Sequence, residues 1–165
     1  MSPVPPRFKV NRQVERGIHA LTSVFVGLEQ SSAFMKIFKT EQNVRKFLEG
    51  MNLRIEEGDG YMYVDPSIGH IIVSKKYLQE GEIEMLYLDI IHESVHVKQW
   101  SEGNNLYDTQ YSYVERPTEL EAYAVVVDEA RQMGMTEEQI VDYLEVPWIS
   151  KKDLRLLAKK LGIEK

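Results

Sequence analysis

The fold of this chain is decided by the stretch Leu88–Trp100, which reads LDIIHESVHVKQW and contains His-Glu-Ser-Val-His at residues 92–96. Because the flanks of this pentapeptide are strongly apolar, we expect a buried helix over Glu82–Ser101. Residues four apart lie on one face of a helix, so His92 and His96 should point the same way. A buried imidazole is costly unless its nitrogens are satisfied, and a shared metal ion satisfies one nitrogen of each ring. The stretch therefore predicts a metal-binding helix.

The H-E-x-x-H spacing is the one with which a single helix binds zinc in metalloproteases. Glu93 lies about 100° around the helix from His92, given 3.6 residues per turn, and can reach a water molecule on that metal. We expect His92 and His96 to be metal ligands and Glu93 to be the catalytic general base. The alternative is a chance pair of core or surface histidines, and the apolar flanks favour the metal site over it.

Composition and charge limit the kinds of metal ligand and binding partner that this chain can have. A chain of 165 residues fits one domain that is large enough to bury its own core. It contains no cysteine, so thiolate ligands and thiol nucleophiles are excluded and metal ligands must be His, Asp or Glu. The net charge of −6 argues against nucleic acid or an anionic membrane as the main partner. Because neither a signal-peptide core nor a membrane span is visible, we expect a cytoplasmic protein without a membrane partner.

A catalytic zinc usually takes three protein ligands and one water, and the glutamates at 115, 119 and 121 compete for the third place. Glu115 precedes Pro117, where the chain should still be extended. Glu121 matches an S/T-x-x-E capping box with Thr118. Glu119 heads an apolar row on the helix that Pro117 opens, where an unpaired charge would be costly. The members of this row are Ala122, Tyr123, Val126, Val127, Ala130 and Met133. We expect Glu119 to be the third ligand, with Glu121 as the runner-up.

The remaining patterns predict an α+β domain with a small, mainly antiparallel sheet. Residues 1–10 are Pro-rich and are expected to form a flexible lead-in, and residues 11–165 a single domain. Within it we expect N-terminal helices over 11–51, a core over 52–134 and a C-terminal helical pair over 135–165. The first helix is predicted over 11–38 from a stripe that comprises Val14, Ile18, Leu21, Phe25 and Leu28. The strands are predicted at Leu53–Glu56, Tyr61–Val64 and His70–Ser74, and the Glu-bearing helix at Pro117–Gly134.

The two motifs together resemble those of a known group. His92-Glu93-Ser94-Val95-His96, followed by Pro117-Thr118-Glu119-Leu120-Glu121-Ala122, is similar to the pattern of the small gluzincin-type zinc metallopeptidases, minimal zincins whose third ligand is a helical glutamate. The resemblance covers roughly residues 53–134. It implies a zincin-like fold and Zn²⁺ held by His92, His96 and Glu119.

Two positions near the motifs depart from that group. Where such families often carry an aspartate that orients a zinc histidine, this chain has Tyr123, whose hydroxyl could hydrogen-bond a ligand histidine in its place. No histidine or arginine that would polarise a substrate carbonyl is evident near the motif helices. The candidates left for that role are Tyr107, Tyr111 and Tyr113 in the linking loop.

The expected function is zinc-dependent hydrolysis of a peptide bond in a peptide or protein substrate, with Glu93 as general base on a zinc-bound water. The alternative is a zincin-like regulatory or binding protein whose metal site is structural or latent. In that case the C-terminal helices, which carry a basic cluster at 151–160, would bind a partner or DNA. An open cleft at the metal favours the enzyme, and a metal site sealed under the terminal helices favours the regulator.

Overall fold

The structure, a computed structural model, describes residues 4–163 and contains two small sheets and eight α-helices in that range. The α+β prediction is therefore confirmed. The strands are β1 (Lys9–Val10), β2 (Gly17–Ala20), β3 (Phe25–Val26), β4 (Asn52–Glu56), β5 (Met62–Asp65) and β6 (His70–Ser74). The helices are α1 (Leu21–Val24), α2 (Ser32–Phe38), α3 (Glu41–Gly50), α4 (Lys75–Glu80), α5 (Ile83–Ser101), α6 (Pro117–Gln132), α7 (Glu137–Leu144) and α8 (Lys151–Lys160).

The larger sheet has the strand order β2-β4-β6-β5, in which only the β4–β6 pair is parallel. Strand β6 is central, and Ile71, Ile72 and Val73 are consequently buried on both of its faces. Strand β5 forms one edge of the sheet and packs beside α5. The sheet thus presents an unpaired strand edge next to the helix that carries the histidines.

The N-terminal helix predicted over 11–38 is wrong for most of its length. Residues 17–26 form β2, the single helical turn α1 and β3, and a longer α-helix within the predicted range occurs only at Ser32–Phe38. Gly17 and Gly27 have φ angles of +134° and +88°, conformations that interrupt a right-handed helix and that glycine tolerates. Ile18, a member of the predicted apolar stripe, is 60% exposed. The spacing of the apolar residues is compatible with a helix, but the backbone conformations of Gly17 and Gly27 interrupt it, and residues 17–20 join the sheet as β2.

Two residues of the expected flexible lead-in pack against the core, while Pro6, Arg7 and Lys9 are exposed. Val4 and Phe8 are buried, and the Phe8 ring meets the Tyr87 ring of α5 edge-on with 4.9 Å between centroids. Residues 1–3 lie outside the described residues, so the prediction for them has no structural counterpart here.

Helices α5 and α6 pack against each other and together position the candidate site. Helix α5 is buried almost all round, as the apolar stretch predicted. On α6 the expected apolar row is buried, with Ala122, Val126 and Ala130 facing the core. Pro117 begins the helix at a position where its missing N–H has no intrahelical role. Between residues 4 and 163, no helix combines the length and apolar character that crossing a bilayer requires.

The turn between β5 and β6 offers a test of the fold. Gly69 has a φ of +71°, and a Cβ there would lie 2.4 Å from Cε3 of Trp100 on α5. We expect Gly69→Ala to lower the free energy of unfolding by about 1–3 kcal/mol, the cost of a strained backbone. Chemical denaturation measures this, with Gly60→Ala as the matched control because a Cβ at Gly60 meets nothing within 4 Å. Equal stability of the two variants would contradict this description of the turn.

Candidate metal centre

Three side-chain atoms from two helices converge on one point. His92 and His96 lie one turn apart on α5, and their Nε2 atoms are 3.1 Å apart. From the first turn of α6, Glu119 places Oε1 at 3.6 Å from Nε2 of His92 and in direct contact with Nε2 of His96. Two ligands of a tetrahedral zinc, each about 2.0–2.1 Å from the metal, lie about 3.3 Å apart. Two of the three pairs, at 3.1 and 3.6 Å, therefore have about the spacing of ligands in such a set, whereas His96 and Glu119 are in hydrogen-bond contact.

The cluster is buried and incompletely satisfied. His92, Glu93, His96 and Glu119 are only 5–7% exposed. His92, Glu93 and His96 form a group that could hold a metal ion, with one potential ligand atom from each within 4.8 Å of the others. Within residues 4–163, Oε2 of Glu119 is buried without a hydrogen-bond partner, although an isolated buried carboxylate is costly. The residues fit a bound divalent cation, and imidazole with carboxylate suits several such metals.

Burial and the local charges act in opposite directions on the pKa values of the cluster. Burial favours the neutral form of Glu119, yet the adjacent His92 and His96 hold its pKa well below the usual range. Burial alone would lower the pKa of His96, but the hydrogen bond to Glu119 and the charge of Glu93 raise it to about 9. The pocket thus attracts positive charge, which a proton or a metal ion can supply.

A series of hydrogen bonds orients the His96 ring through Nδ1, the nitrogen that faces away from the cluster. Its Nδ1 lies 2.7 Å from Oε1 of Gln99, whose Nε2 donates to Oε1 of Glu121 at 2.8 Å. The predicted capping box at Thr118 and Glu121 is wrong, because Arg116 occupies the N-cap and Thr118 donates to a loop carbonyl. Sequence analysis missed Gln99, although its place three residues after His96 on the same helix was a usable signal.

The side of His92 that faces away from the cluster has no such support. Its Nδ1 is buried and meets no hydrogen-bond partner in the described part of the chain. The Tyr123 ring lies against the His92 ring with 4.4 Å between centroids, but the Tyr123 hydroxyl shares a 2.7 Å hydrogen bond with Tyr113 instead. Among the described residues the Tyr123 hydroxyl thus forms no hydrogen bond to a ligand histidine, and Tyr123 contacts His92 through its ring.

Of the three competing glutamates, only Glu119 reaches the histidine nitrogens. Glu115 is exposed in a short 3-10 turn and accepts a hydrogen bond from Ser112 at 3.0 Å. Glu121 bonds to Gln99, so it acts on the cluster only through that side chain.

Two cavities of about 230 and 600 Å³ reach the cluster. Both are lined by His92 and Glu93, and the larger one also by His96 and Glu119. Other side chains that line both cavities are Tyr61, Met62, Tyr113, Pro147 and Trp148. The cluster is thus accessible from a cleft between the edge strand and the turn that joins α7 to α8.

Aromatic side chains from distant parts of the sequence border this cleft. The ring of Trp148, between α7 and α8, lies 6.3 Å from that of Tyr61 and 5.9 Å from that of Tyr113, measured between centroids. Of the three tyrosines considered for polarising a substrate carbonyl, Tyr107 and Tyr113 line the larger cavity. The Tyr107 hydroxyl already donates a hydrogen bond to the carbonyl of Val64 at 2.6 Å. Tyr111 is exposed and does not line either cavity.

Sequence analysis also missed a cation at the cleft. Arg116 lines the larger cavity with the histidines and Glu119, although no arginine that would polarise a substrate carbonyl was evident from the sequence near the motif helices. It directly precedes Pro117, so its place at the start of the Glu-bearing helix was a usable signal.

The two neighbouring glutamates of α6 allow a matched test of the ligand assignment. We expect Glu119→Ala to weaken zinc binding far more than Glu121→Ala, because only Glu119 places an oxygen beside both Nε2 atoms. Competition with a chromophoric zinc chelator measures the two dissociation constants. An equal or larger loss for Glu121→Ala would contradict the assignment, because the ligand would then not lie on the face of α6 that carries Glu119.

Comparison with known proteins gives no further assignment. No protein-family model matches the chain, and neither the curated proteins nor the solved structures searched include a match. The resemblance to zincins therefore rests on the residues of the two motifs alone.

Proposed function

We propose that this protein is a zinc-dependent peptidase in which His92, His96 and Glu119 hold the metal. The observation that carries the proposal is the convergence of the three ligand atoms beside a second buried carboxylate, that of Glu93. No cysteine competes for a soft metal, and two imidazoles with one carboxylate form a known ligand set of catalytic zinc. When bound, zinc would polarise a carbonyl group and make water more acidic.

Glu93 is the residue proposed to move the proton. Burial raises the pKa of its carboxyl group to about 7, and a general base is most effective when its pKa lies near the working pH. Its carboxylate would take a proton from the attacking water and pass it to the departing amine nitrogen. Since Glu93 lines both cavities, a substrate in the cleft would meet this carboxylate directly.

The accessibility of the site supports an enzyme over the regulatory alternative. A structural metal needs no route for substrate, whereas here two cavities lead to His92 and Glu93. Among residues 4–163, no part of the N-terminal segment or of α8 lines either cavity, whereas α7 contributes Asp142 and Tyr143 to the smaller one and the turn with Trp148 borders both.

A cleavage assay tests the proposal. The full chain, loaded with zinc, is incubated with a mixed peptide library, and products are identified by mass spectrometry. We expect cleavage that a chelator abolishes and that added zinc restores. Zinc-loaded protein that leaves every peptide intact would refute the peptidase proposal and favour the structural or latent site.

A further inference from the structure

Arg116 occupies a distinctive place in the cleft. It is the N-cap residue of α6, three positions before Glu119, and it lines the larger cavity with His92, Glu93 and His96. Among the described residues that line either cavity, Arg116 is the only lysine or arginine. Any substrate that enters the larger cavity therefore meets one positive side chain close to the proposed metal ligands.

The guanidinium group of Arg116 has no anionic partner within the part of the chain that is described. No carboxylate of residues 4–163 lies within 4.0 Å of its nitrogens, and its Nε is buried without a hydrogen-bond partner. A guanidinium carries five N–H donors in a fixed plane, and a partly buried cation without a counter-charge is costly. Its unused donors and charge call for an anion from outside the chain.

Three other acidic groups line this cavity, and within residues 4–163 none of them forms an ion pair with Arg116. Glu119 contacts the two imidazoles, and Asp59 is exposed at 3.8 Å from Lys76. Glu93 lies with the histidines in the metal-binding group. None of these carboxylates is placed to neutralise Arg116.

Two aromatic rings hold the guanidinium in position. Cζ of Arg116 lies 6.0 Å from the centroid of the Tyr107 ring and 5.9 Å from that of the Tyr113 ring. Contacts of this kind are weakly attractive and restrict the orientation of the guanidinium plane. Because Tyr107 is itself tied to the Val64 carbonyl of β5, the cation is held between the loop, the edge strand and α6.

We propose that Arg116 is a specificity residue that binds a carboxylate of the substrate beside the scissile bond. This inference rests on the proposed peptidase function and specifies its substrate class, a peptide with a C-terminal carboxylate or an acidic side chain near the cleaved bond. A carboxylate matches the guanidinium with two parallel, charge-assisted hydrogen bonds. A neutral backbone carbonyl would occupy a donor without compensating the charge, so a carboxylate suits this site better.

Binding to a turnover-deficient protein tests the inference without relying on catalysis. The full chain with Glu93→Gln is titrated calorimetrically with four acetylated alanine-based pentapeptides. One pair differs only in a C-terminal carboxylate or amide, and the other, amidated, pair only in a central glutamate or glutamine. We expect the carboxylate member of at least one pair to bind about 10- to 100-fold more tightly than its neutral partner. The pair that shows the preference identifies the source of the carboxylate.

The preference should depend on Arg116. It should fall to near unity when Arg116→Gln is added, and Arg116→Lys, which keeps the charge but not the planar fork, should retain part of it. Arg155→Gln is the charge-matched control, because Arg155 is exposed on α8 and lines neither cavity at the cluster. The titrations are then repeated in the presence of a chelator. A preference that is due to Arg116 should persist without the metal, whereas a preference that is due to the metal should disappear.

Several outcomes would overturn the inference. They are a preference that survives Arg116→Gln, a preference that disappears only with chelator, equal binding within both pairs, and no measurable binding of any peptide. Failure of the peptidase proposal has a different signature: the wild-type protein cleaves nothing, while the Arg116-dependent preference for carboxylates remains.

Discussion

Replacing either His92 or His96 by alanine should reduce bound zinc from about one ion per chain to none. The two Nε2 atoms lie 3.1 Å apart and share Glu119 as a neighbour, so either substitution leaves only one imidazole and one carboxylate of the set. A structural or catalytic zinc needs at least three protein ligands to be held firmly. Elemental analysis of protein purified without chelator, followed by titration with added zinc, measures the loss.

The control for this experiment is another histidine of the same chain. His70 lies in β6, is partly buried and is not part of the cluster, so His70→Ala should retain the metal. Circular dichroism of each variant separates loss of metal from loss of fold. Wild-type protein that contains no zinc and takes none up would refute the metal centre altogether.

The parts of the site that sequence analysis predicted are those that local geometry determines. Two side chains that are four residues apart on a helix lie on the same face whatever the rest of the fold is. The placement of His92 and His96 on one face could therefore be predicted without tertiary information. Glu119 was predicted in the same way, since an acid at the head of an apolar row must face something that compensates its charge. The structure brings all three together.

The parts that were missed depend on contacts between distant segments. Gln99 bonds Glu121 across two helices, and Trp148 meets Tyr61 from the far end of the chain. Local sequence spacing indicates neither of these two contacts between segments, although it does place Gln99 beside His96 on α5. The strand β2 was missed for a different reason: a stripe of apolar residues also suits a helix, and the positive φ of Gly17 that prevents one is not encoded by hydrophobic spacing.

Converting Glu93 to glutamine should remove most peptide cleavage while leaving the metal in place. An amide of nearly the same size cannot accept the proton that the mechanism assigns to this carboxylate, and general-base assistance contributes about 10²–10⁴-fold. The loss corresponds to about 3–5 kcal/mol of activation free energy. Turnover number and zinc content are measured on the same preparation, because Glu93 also has an oxygen within ligand reach of the two imidazoles.

The two measurements together decide the role of Glu93. If Glu93→Gln loses turnover but retains zinc, Glu93 acts as the general base. If the variant loses both turnover and zinc, Glu93 is a fourth ligand, and the proposed mechanism is wrong. Full activity of the Glu93→Gln variant would also contradict the proposed mechanism. Glu129→Gln is the matched control, because Glu129 is an equally buried acid on α6 that pairs with Ser32 and Tyr87, away from the cleft. That variant should keep both its zinc and its turnover, since only a carboxylate placed at the reacting atoms can affect the proton transfer.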